Sequence, residues 1–456
     1  MGDREDLHIQ RFGVLTAFLF LALSGARAQD QNAFFTDSAG IKDCIDYAMK
    51  NQPLVNQLKI NEKIADQSVK SALSEWFPQI SSNAGFTHYL KQPVVIFPNF
   101  SDPSGPKIEV TTGVKNNSTI QFSASQKIFS SDLWLAARTS RDYRQQASES
   151  GMKEAIQLVV DVSKAYYDVL LTREMLNIVD EDIDRLSQSL DDALALYNSG
   201  MTDNIDYNRA TVSLNNAMTQ KISLENSLNA KHTYLKQLMG YPLGKDLRLK
   251  NSFRNMQREI VFDTLQSLPY RNRIEYKLLE TNIRLQKSMT DYKRLDFLPS
   301  LSGFANYNYI FQNDSFSSLF SKTFPNSTVG ISLTFPIFEG GKRIHDLQKS
   351  KLSFQSLALD TITLRDEIYT GYNTALASYK SNLAGYNMTK KNISISNDVY
   401  NTILKQYREG VKPYFEVIMA ETDLRTAELN NISSLILLMY SKIDLEQALG
   451  QISVDY

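Results

Sequence analysis

The chain contains the same short motif twice, first as Asn117-Ser118-Thr119-Ile120-Gln121-Phe122-Ser123 and, 209 residues later, as Asn326-Ser327-Thr328-Val329-Gly330-Ile331-Ser332. Upstream of it, Trp76-Phe77-Pro78-Gln79-Ile80 matches Phe297-Leu298-Pro299-Ser300-Leu301 at an offset of 221 residues. Downstream, residues 197–240 match residues 407–450 at an offset of 210, with a Tyr-x-x-Gly turn and a final glycine in each. Three correspondences in the same order indicate a tandem structural repeat.

Each repeat follows the same plan. A helix of about 35 residues ends at Pro78 or Pro299, since proline cannot continue a helix interior. Two alternating segments, a long polar helix, a glycine turn and a closing helix follow. The predicted domains are repeat 1 over 41–240, a linker over 241–269 and repeat 2 over 270–450. The predicted strands cover about 79–90, 118–129, 300–311 and 327–338, and the predicted helices after them cover about 131–197, 203–239, 341–407 and 413–449.

The alternating segments are candidates for crossing a membrane. In the last of them the apolar face is Val329, Ile331, Leu333, Phe335 and Ile337, and small or polar residues lie between. About ten residues with a period of two suit a tilted transmembrane strand. A soluble hairpin with one buried face has the same periodicity, so this alternative stays open. The polar loops 91–116 and 312–325 would be solvent-facing turns.

The two longest predicted helices are far longer than a globular domain uses. The stretches 131–197 and 341–407 have no proline, and their 67 residues would each span roughly 100 Å. Their apolar residues form a thin stripe of Leu158, Val162, Ala165, Tyr166 and Val169 in the first and Ile368, Tyr372, Ala375, Leu376 and Tyr379 in the second. Such helices bury one narrow seam and leave another face in water, as coiled coils do.

The N-terminus is typical of an exported bacterial protein. Arg11 precedes a mostly apolar run over 12–23, and Ala26-Arg27-Ala28 has small residues where a signal peptidase cuts, so residues 1–28 are predicted to be a signal peptide. A buried N-terminal helix is the alternative. After residue 28 no apolar run approaches the about 20 residues that a spanning helix needs, so a membrane span would have to consist of strands.

The composition argues against several classes of function. The 49 basic and 50 acidic residues nearly cancel, so no global charge attracts nucleic acid. Cys44 is the single cysteine, which allows no disulfide within the chain, and we expect it to pack on an early helix. The mature histidines, His88, His232 and His345, have no metal-ligand spacing. With no phosphate loop or nucleophile elbow either, we expect no cofactor, no metal and no enzymatic activity.

The number of strands predicts self-assembly. Four strands cannot close a barrel, and an open sheet edge in lipid leaves backbone groups unpaired at a cost of several kcal/mol each. Several copies would therefore have to pool their strands. Two copies would supply eight strands and three would supply twelve, and the edge argument does not choose between them. Because an eight-stranded barrel is nearly filled by its own side chains, a conduit favours three copies.

These features together resemble the TolC family of outer-membrane efflux and secretion channels. The resemblance covers residues 41–450 and rests on the tandem repeat, the helix-Pro-strand junctions, the hairpin placement and the turns Tyr197-Asn198-Ser199-Gly200 and Tyr407-Arg408-Glu409-Gly410. It implies a mainly helical homotrimer whose twelve-stranded β-barrel, four strands per chain, lies in outer-membrane lipid and continues into a long helical barrel in the periplasm.

The same resemblance implies a function and partners. The trimer would be a passive duct in a tripartite efflux or type I secretion system, joined to a periplasmic adaptor (membrane fusion) protein and an inner-membrane transporter, with no role for nucleic acid. A soluble periplasmic coiled-coil scaffold or adaptor is the alternative. An adaptor, however, interrupts one helical hairpin with small β-domains and does not repeat hairpin plus long helix twice.

The glycine turns would form the periplasmic end of the duct. Gly200 and Gly410 suit the left-handed position after a long helix, Thr202 or Asp203 suits the cap of the next helix, and Pro413 suits a first turn. By resemblance, Ser199-Gly200-Met201 and Glu409-Gly410-Val411 fall where such channels touch the adaptor. An ordinary helix hairpin is the alternative interpretation of each turn.

The resemblance also assigns a periplasmic gate. In the family an acidic residue of the first repeat links to a tyrosine and a basic residue of the second repeat, and the matching positions are Asp206, Tyr407 and Lys412. Lys412 stands where arginine is expected, and because lysine lacks the planar fork we expect a looser latch. Glu416 matches one acidic ring and Met419 stands where a second acid occurs, so we expect one carboxylate ring beside a methionine collar. For Asp206 and Glu416 the alternative is a solvated helix charge.

Overall fold

The computed structural model describes residues 38–98, 105–201, 203–250 and 268–454, together with Met256, Ile260, Phe262, Asp263 and Gln266. The predicted signal peptide lies outside these residues, as do Thr202 and part of the predicted linker. The elements in chain order are α1 (Ile41–Asn51), α2 (Pro53–Ser74), β1 (Gln79–His88), β2 (Val94–Phe97), β3 (Ile108–Thr111), β4 (Asn116–Phe129), α3 (Ser131–Asn198), α4 (Asn204–Met239), α5 (Ile274–Leu295), β5 (Ser300–Asn313), β6 (Thr323–Thr334), α6 (Lys342–Arg408) and α7 (Tyr414–Leu449). Short 3₁₀ turns lie at Tyr270–Asn272 and Phe316–Ser321.

The prediction of one long helix before each first strand is wrong. In the first repeat α1 ends at Asn51 and α2 begins at Pro53, because proline has no N–H to continue a helix and forces the residue before it out of the helical region. Gln52 accordingly has an extended backbone, with φ −65° and ψ 125°. Its side-chain Nε2 donates to the carbonyl oxygen of Leu238 at 3.0 Å, which ties the break to the end of α4. In the second repeat α5 has only 22 residues.

The strands of the two repeats form one antiparallel sheet in the order β1-β4-β5-β6. The central pair joins the repeats, with Phe122 of β4 opposite Tyr307 of β5. Within the described residues the outer edges of β1 and β6 have no partner strand. The sheet therefore combines both halves of the tandem repeat and remains open at both sides.

Two details of the sheet differ from the predictions. The fourth strand covers 323–334 and not 327–338: Phe324 pairs with Ile310 at one end, and the ladder ends where Thr334 pairs with Ser300. Phe335 and Ile337 of the predicted apolar face therefore lie beyond the strand. The first loop, predicted to be a polar turn, contains a separate hairpin in which β2 pairs with β3, Val95 opposite Val110. Its Val and Ile residues favour strands over irregular turns.

The outer face of the last strand is apolar and exposed in the protomer. Val329, Ile331 and Leu333 alternate along β6, and 86% of Val329 is accessible. The alternating apolar residues of β6 therefore form a strand face that is left uncovered in this chain.

The helices account for most of the molecule. α3 has 68 residues and α6 has 67, so each is about 100 Å long. The stripe predicted on α3 is buried, with Val162, Tyr166 and Val169 fully inaccessible, and this confirms the seam.

Cys44 on α1 is also buried in the same core, as predicted, and burial, with Asp43 nearby, raises its pKa to about 12. None of the helices in the described ranges combines the length and the hydropathy that a membrane crossing requires.

Candidate functional site

The helical hairpins end in two glycine turns of the same geometry. Gly200 after α3 and Gly410 after α6 have φ values of 74° and 76°, in the left-handed region that favours glycine. The N–H of Met201 donates to the carbonyl oxygen of Leu196 at 3.0 Å, which closes a Schellman-type cap on α3. At both glycines a Cβ atom would meet nothing within 4 Å, so the turns leave open space around their backbones.

The residues beside these glycines are exposed. Met201 is 74% accessible and Val411 is 67% accessible, and Ser199 and Glu409 are exposed as well. Apolar side chains that project from a turn without neighbours contribute nothing to the stability of the protomer. The six residues predicted to touch a partner therefore lie together at the two turns and are free to be approached in this chain.

The closing helices start at capped positions. Asp203 is the N-cap of α4, and its Oδ1 accepts from the N–H of Ile205 at 2.9 Å. Asp206 and Glu416 lie in the first turns of α4 and α7, where the helix dipole favours a negative charge. Pro413 is the N-cap of α7, one position before the first turn in which it was predicted.

The predicted gate residues divide into two groups in the structure. Tyr407 packs on Tyr414, with ring centroids 5.4 Å apart. Burial raises the pKa of Tyr407, and the nearby negative charges of Asp206 and Asp192 add to this rise. Asp206 and Tyr407 are thus brought close across α4 and α6.

Lys412 and Glu416 form the other group. Nζ of Lys412, two residues before the start of α7, lies 2.7 Å from Oε2 of Glu416 in the first turn of that helix. Met419 follows Glu416 by three residues, which places it on nearly the same helix face, and it is half exposed. In this protomer the ion pair of Lys412 is therefore within its own helix start, and Asp206 is not its partner among the described residues.

A small apolar core holds the four helices together just above the turns. It contains Ala193 of α3, Ala210 of α4, Tyr400 of α6, and Tyr414 and Val417 of α7. Because one residue from each helix enters the same cluster, a movement of either hairpin at this end has to separate these contacts. The turns and the gate positions are coupled through this core.

A buried charged cluster deeper in the bundle was not predicted. We define it as Asp182 and Arg185 of α3 with Glu421, Arg425 and Glu428 of α7. Its signal is present in the sequence: Asp182 lies three residues after Val179 and four before Leu186, and Glu421 lies four after Val417 and three before Leu424. Both acids thus occupy apolar seam positions, whereas an exposed charge would lie off the seam.

Metal chemistry finds no support at these places. Across the part of the chain that the structure describes, no group of His, Cys, Asp and Glu is arranged to hold a metal ion. The site consists of two turns, a gate region and a buried charged cluster.

An antiparallel sheet with an uncovered apolar face, joined to two helices about 100 Å long that each pair with a shorter helix, is the architecture of an outer-membrane channel protomer. The family model described as "Outer membrane efflux protein" matches residues 44–241 and 278–451, and the chain belongs to this family. The predicted family is thereby confirmed, and so are the channel function and the outer-membrane location.

Known relatives agree over nearly the whole length. The outer membrane protein TolC of Vibrio cholerae serotype O1 is 19% identical over 415 residues, which are 89% of both chains. The outer membrane channel CmeC of Campylobacter jejuni has a TM-score of 0.71 at 15% identity, with 90% of this chain and 85% of that chain covered. The Neisseria gonorrhoeae MtrE channel, solved in an open state, has a TM-score of 0.70 at 16% identity, with 90% and 88% covered.

The family settles the class of activity. Its members are efflux channels, so the chain is a transport channel of the outer membrane and not an enzyme. The mainly helical fold with a β part is shared with the solved channels. The alternative of a soluble scaffold or adaptor is therefore set aside.

Proposed function

We propose that three copies of this chain form the outer-membrane duct of a tripartite efflux or type I secretion system. The duct receives its cargo from an inner-membrane transporter, through a periplasmic adaptor, and conducts it passively to the exterior. The observation that carries this proposal is the open sheet: four strands, two unpaired edges and an uncovered apolar face in one chain.

Sheet closure supports three copies. If β1 of one copy pairs with β6 of the next, every backbone group at the edges is satisfied, which lipid requires. Three copies then supply twelve strands, a number that leaves a lumen, whereas eight strands are filled by side chains. Because β1 and β6 lie at opposite edges, this pairing is heterologous and generates a closed ring.

The gate is placed at the turn end of the ring. Asp206 links to Tyr407 and, between neighbouring copies, to Lys412, and these charge-assisted bonds hold the closed state. Each such bond contributes about 1.5–3 kcal/mol when partly buried, so a few per trimer keep the end closed. The proximity of Asp206 to Tyr407 supports this assignment. Glu416 forms a carboxylate ring in the constriction, with Met419 as an apolar collar beside it.

Single-channel recording in planar bilayers tests the gate. Asp206→Ala removes the acidic partner of both links and is expected to raise conductance several-fold over the wild-type trimer. The matched control is Asp423→Ala, which removes an exposed carboxylate from α7 away from the turns. Equal conductance of the wild type and Asp206→Ala would remove Asp206 from the gate.

The adaptor is proposed to dock on the two turns. Met201 and Val411 supply exposed apolar contacts, and Gly200 and Gly410 let a helical tip approach the backbone closely. The gate opens when the free energy of these adaptor contacts exceeds the free energy of the links that hold it closed, and the transporter supplies the energy.

Charge substitution at the turns tests docking in cells. Met201→Asp combined with Val411→Asp is expected to lower cargo export at least tenfold while the trimer still forms, because a desolvated charge opposes an apolar contact. Leu243→Asp is the control, since Leu243 is also an exposed apolar residue, 59% accessible, but lies after α4, far from the turns. Unaltered export by the double variant would show that the turns do not bind the adaptor.

A further inference from the structure

The charged cluster between α3 and α7 has an excess of negative charge. Asp182 and Glu421 expose 0% and 2% of their side chains, while Arg185, Arg425 and Glu428 are a quarter exposed or less. When all five groups are ionised, three carboxylates face two guanidinium groups. One negative charge is therefore uncompensated inside the helical bundle.

The two guanidinium groups favour Asp182. Nη1 of Arg425 donates to its Oδ2 at 2.9 Å, and Nη2 of Arg185 donates to its Oδ1 at 3.3 Å. The ion pair of Glu421 is with Nε of Arg185, 3.6 Å from its Oε1, and neither of its carboxylate oxygens has a hydrogen-bond partner in the part of the chain that the structure describes. A buried carboxylate without hydrogen bonds is costly when it is charged.

The other groups around Glu421 do not neutralise the excess negative charge of the cluster. The titratable and charged groups that face it are Asp182 and Arg185 on α3, Tyr400 on α6, and Tyr414, Arg425 and Glu428 on α7 itself, with Asp206 of α4 beyond Tyr414. Burial raises the pKa of both tyrosines above their ordinary value, so they stay neutral near neutrality. Among the described residues, the positive charges that oppose the charge on Glu421 are those of Arg185 and Arg425, which Asp182 already engages.

Burial and the negative charge of Asp182 raise the pKa of Glu421 from 4.5 to about 7, against the opposing effect of Arg185 and Arg425. A carboxyl exposed to water would lose its proton near the ordinary value. Separation of α7 from α3 would remove Asp182 and Arg185 from Glu421 and let water reach its carboxyl from that side. The proton on Glu421 is therefore linked to the packing of the two helices.

We propose that Glu421 holds a proton while α3 and α7 are packed, so that this cluster is a second, proton-dependent latch on the closed channel. When the helices part, the carboxyl releases its proton to water and becomes a hydrated carboxylate. The proposal rests on the proposed gating at this end of the duct, but it uses residues separate from Asp206, Tyr407 and Lys412. Proton binding here is a control on opening that the turns alone do not supply.

The direction of the pH effect follows from linkage. Because the packed state binds the proton more tightly, its stability is complete below the ordinary pKa of a glutamate and declines as the pH rises to about 7. Above that pH both states have lost the proton and the effect levels off. Acid therefore favours the closed channel, and neutral or alkaline conditions favour opening.

Infrared spectroscopy of the purified full-length trimer in detergent tests the proton directly. A protonated carboxyl has a C=O stretch distinct from that of a carboxylate. We expect such a band at pH about 6, lost with a midpoint near 7, and missing in Glu421→Gln. The control is Glu446→Gln, which alters a partly exposed carboxylate of the same helix paired with Lys442. Absence of any band that Glu421→Gln removes would overturn the proposal, whatever the Asp206 variant does to conductance.

Bilayer recording tests the consequence. Between about pH 5 and about pH 8 the open-to-closed ratio of the wild type is expected to rise about tenfold or more per protomer. Glu421→Gln, which is neutral at every pH, is expected to show no such rise, while Glu446→Gln follows the wild type. A Glu421→Gln channel that keeps the wild-type pH dependence would overturn the latch.

A second variant keeps the proposal testable if Glu421→Gln does not fold. Asp182→Asn keeps the shape of the side chain but removes the negative charge that helps to raise the pKa of Glu421. Its infrared midpoint is expected to move down toward the ordinary glutamate value, with Glu421 itself unchanged. A midpoint that stays near 7 would show that the titrating group does not belong to this cluster.

Discussion

Nη1 of Arg425 on α7 lies 2.9 Å from Oδ2 of Asp182 on α3, and the carboxylate of Asp182 is completely buried. The two residues are 243 positions apart and belong to different repeats. Their contact fastens the closing helix of the second repeat to the long helix of the first. It lies further along the helices from the glycine turns, in a region where α3 and α7 have to move if the duct is to open.

Removal of one partner from this contact is expected to be costly. Arg425→Met leaves Asp182 buried with Arg185 alone and is expected to destabilise the trimer by about 3 kcal/mol, since an uncompensated buried charge is expensive. The measurement is the denaturant midpoint of purified trimer followed by circular dichroism. Arg365→Met is the control, because its exposed pair with Asp366 contributes less than about 0.5 kcal/mol. Similar midpoints for the two variants would contradict this role of Arg425.

The lysine at the gate gives a prediction of its own. In the proposed gate Lys412 links to Asp206 of the neighbouring copy, and within its own chain it pairs with Glu416. Arginine at this position would offer the carboxylate of Asp206 a planar fork with two N–H donors, which lysine lacks. Lys412→Arg is therefore expected to tighten the closed end and lower single-channel conductance below the wild type. Lys442→Arg, in another pair along α7, is the control and leaves conductance unchanged. Higher conductance in Lys412→Arg would show that this position does not close the gate.

Gly240 and its repeat partner Gly450 allow a matched comparison of backbone crowding. Both have left-handed backbones, with φ 66° and 69°. A Cβ at Gly240 would lie 2.9 Å from the carbonyl oxygen of Asn51, a backbone atom, whereas at Gly450 the nearest atom is Cδ of the Arg273 side chain, at the ordinary contact distance of 3.4 Å. Gly450→Ala is expected to cost about 1 kcal/mol, and Gly240→Ala about 2–3 kcal/mol, in the free energy of unfolding. Equal losses of stability in the two variants would show that the left-handed φ, and not crowding of the new Cβ, causes the effect.

Gly330 lies under an aromatic ring of the neighbouring strand. Phe304 is its partner across β5 and β6, and Cζ of the ring would be 2.7 Å from a Cβ at this position. Gly330→Ala must turn the ring away, and we expect the temperature of trimer dissociation on a gel to fall, at a cost of about 1 kcal/mol. Gly303→Ala is the control in the same sheet, since its nearest atom lies at 3.9 Å. If the dissociation temperature of Gly303→Ala falls as far as that of Gly330→Ala, the ring of Phe304 is not the cause.

Much of the fold was predictable because it depends on local and periodic features. The repeat of the Asn-Ser-Thr motif, the apolar seam of Val162 and Val169, and the turns at Gly200 and Gly410 are readable in the chain and appear in the structure. The break at Pro53 was also local and should have been predicted, because proline rarely lies inside a helix. The gate roles of Asp206 and Glu416 came from family resemblance and stay predictions.

By itself the sequence determined the repeat, the helix lengths and the alternation of the strands, because each depends on spacing along one segment. Only the tertiary structure decided that Asp182 and Glu421 meet across α3 and α7 and compete for two arginines. It alone showed that β4 pairs with β5, so that the repeats share one sheet. The physical reason is that burial, and with it the pKa of Glu421, depends on which helices come together in space, and no periodicity within a single helix contains that information.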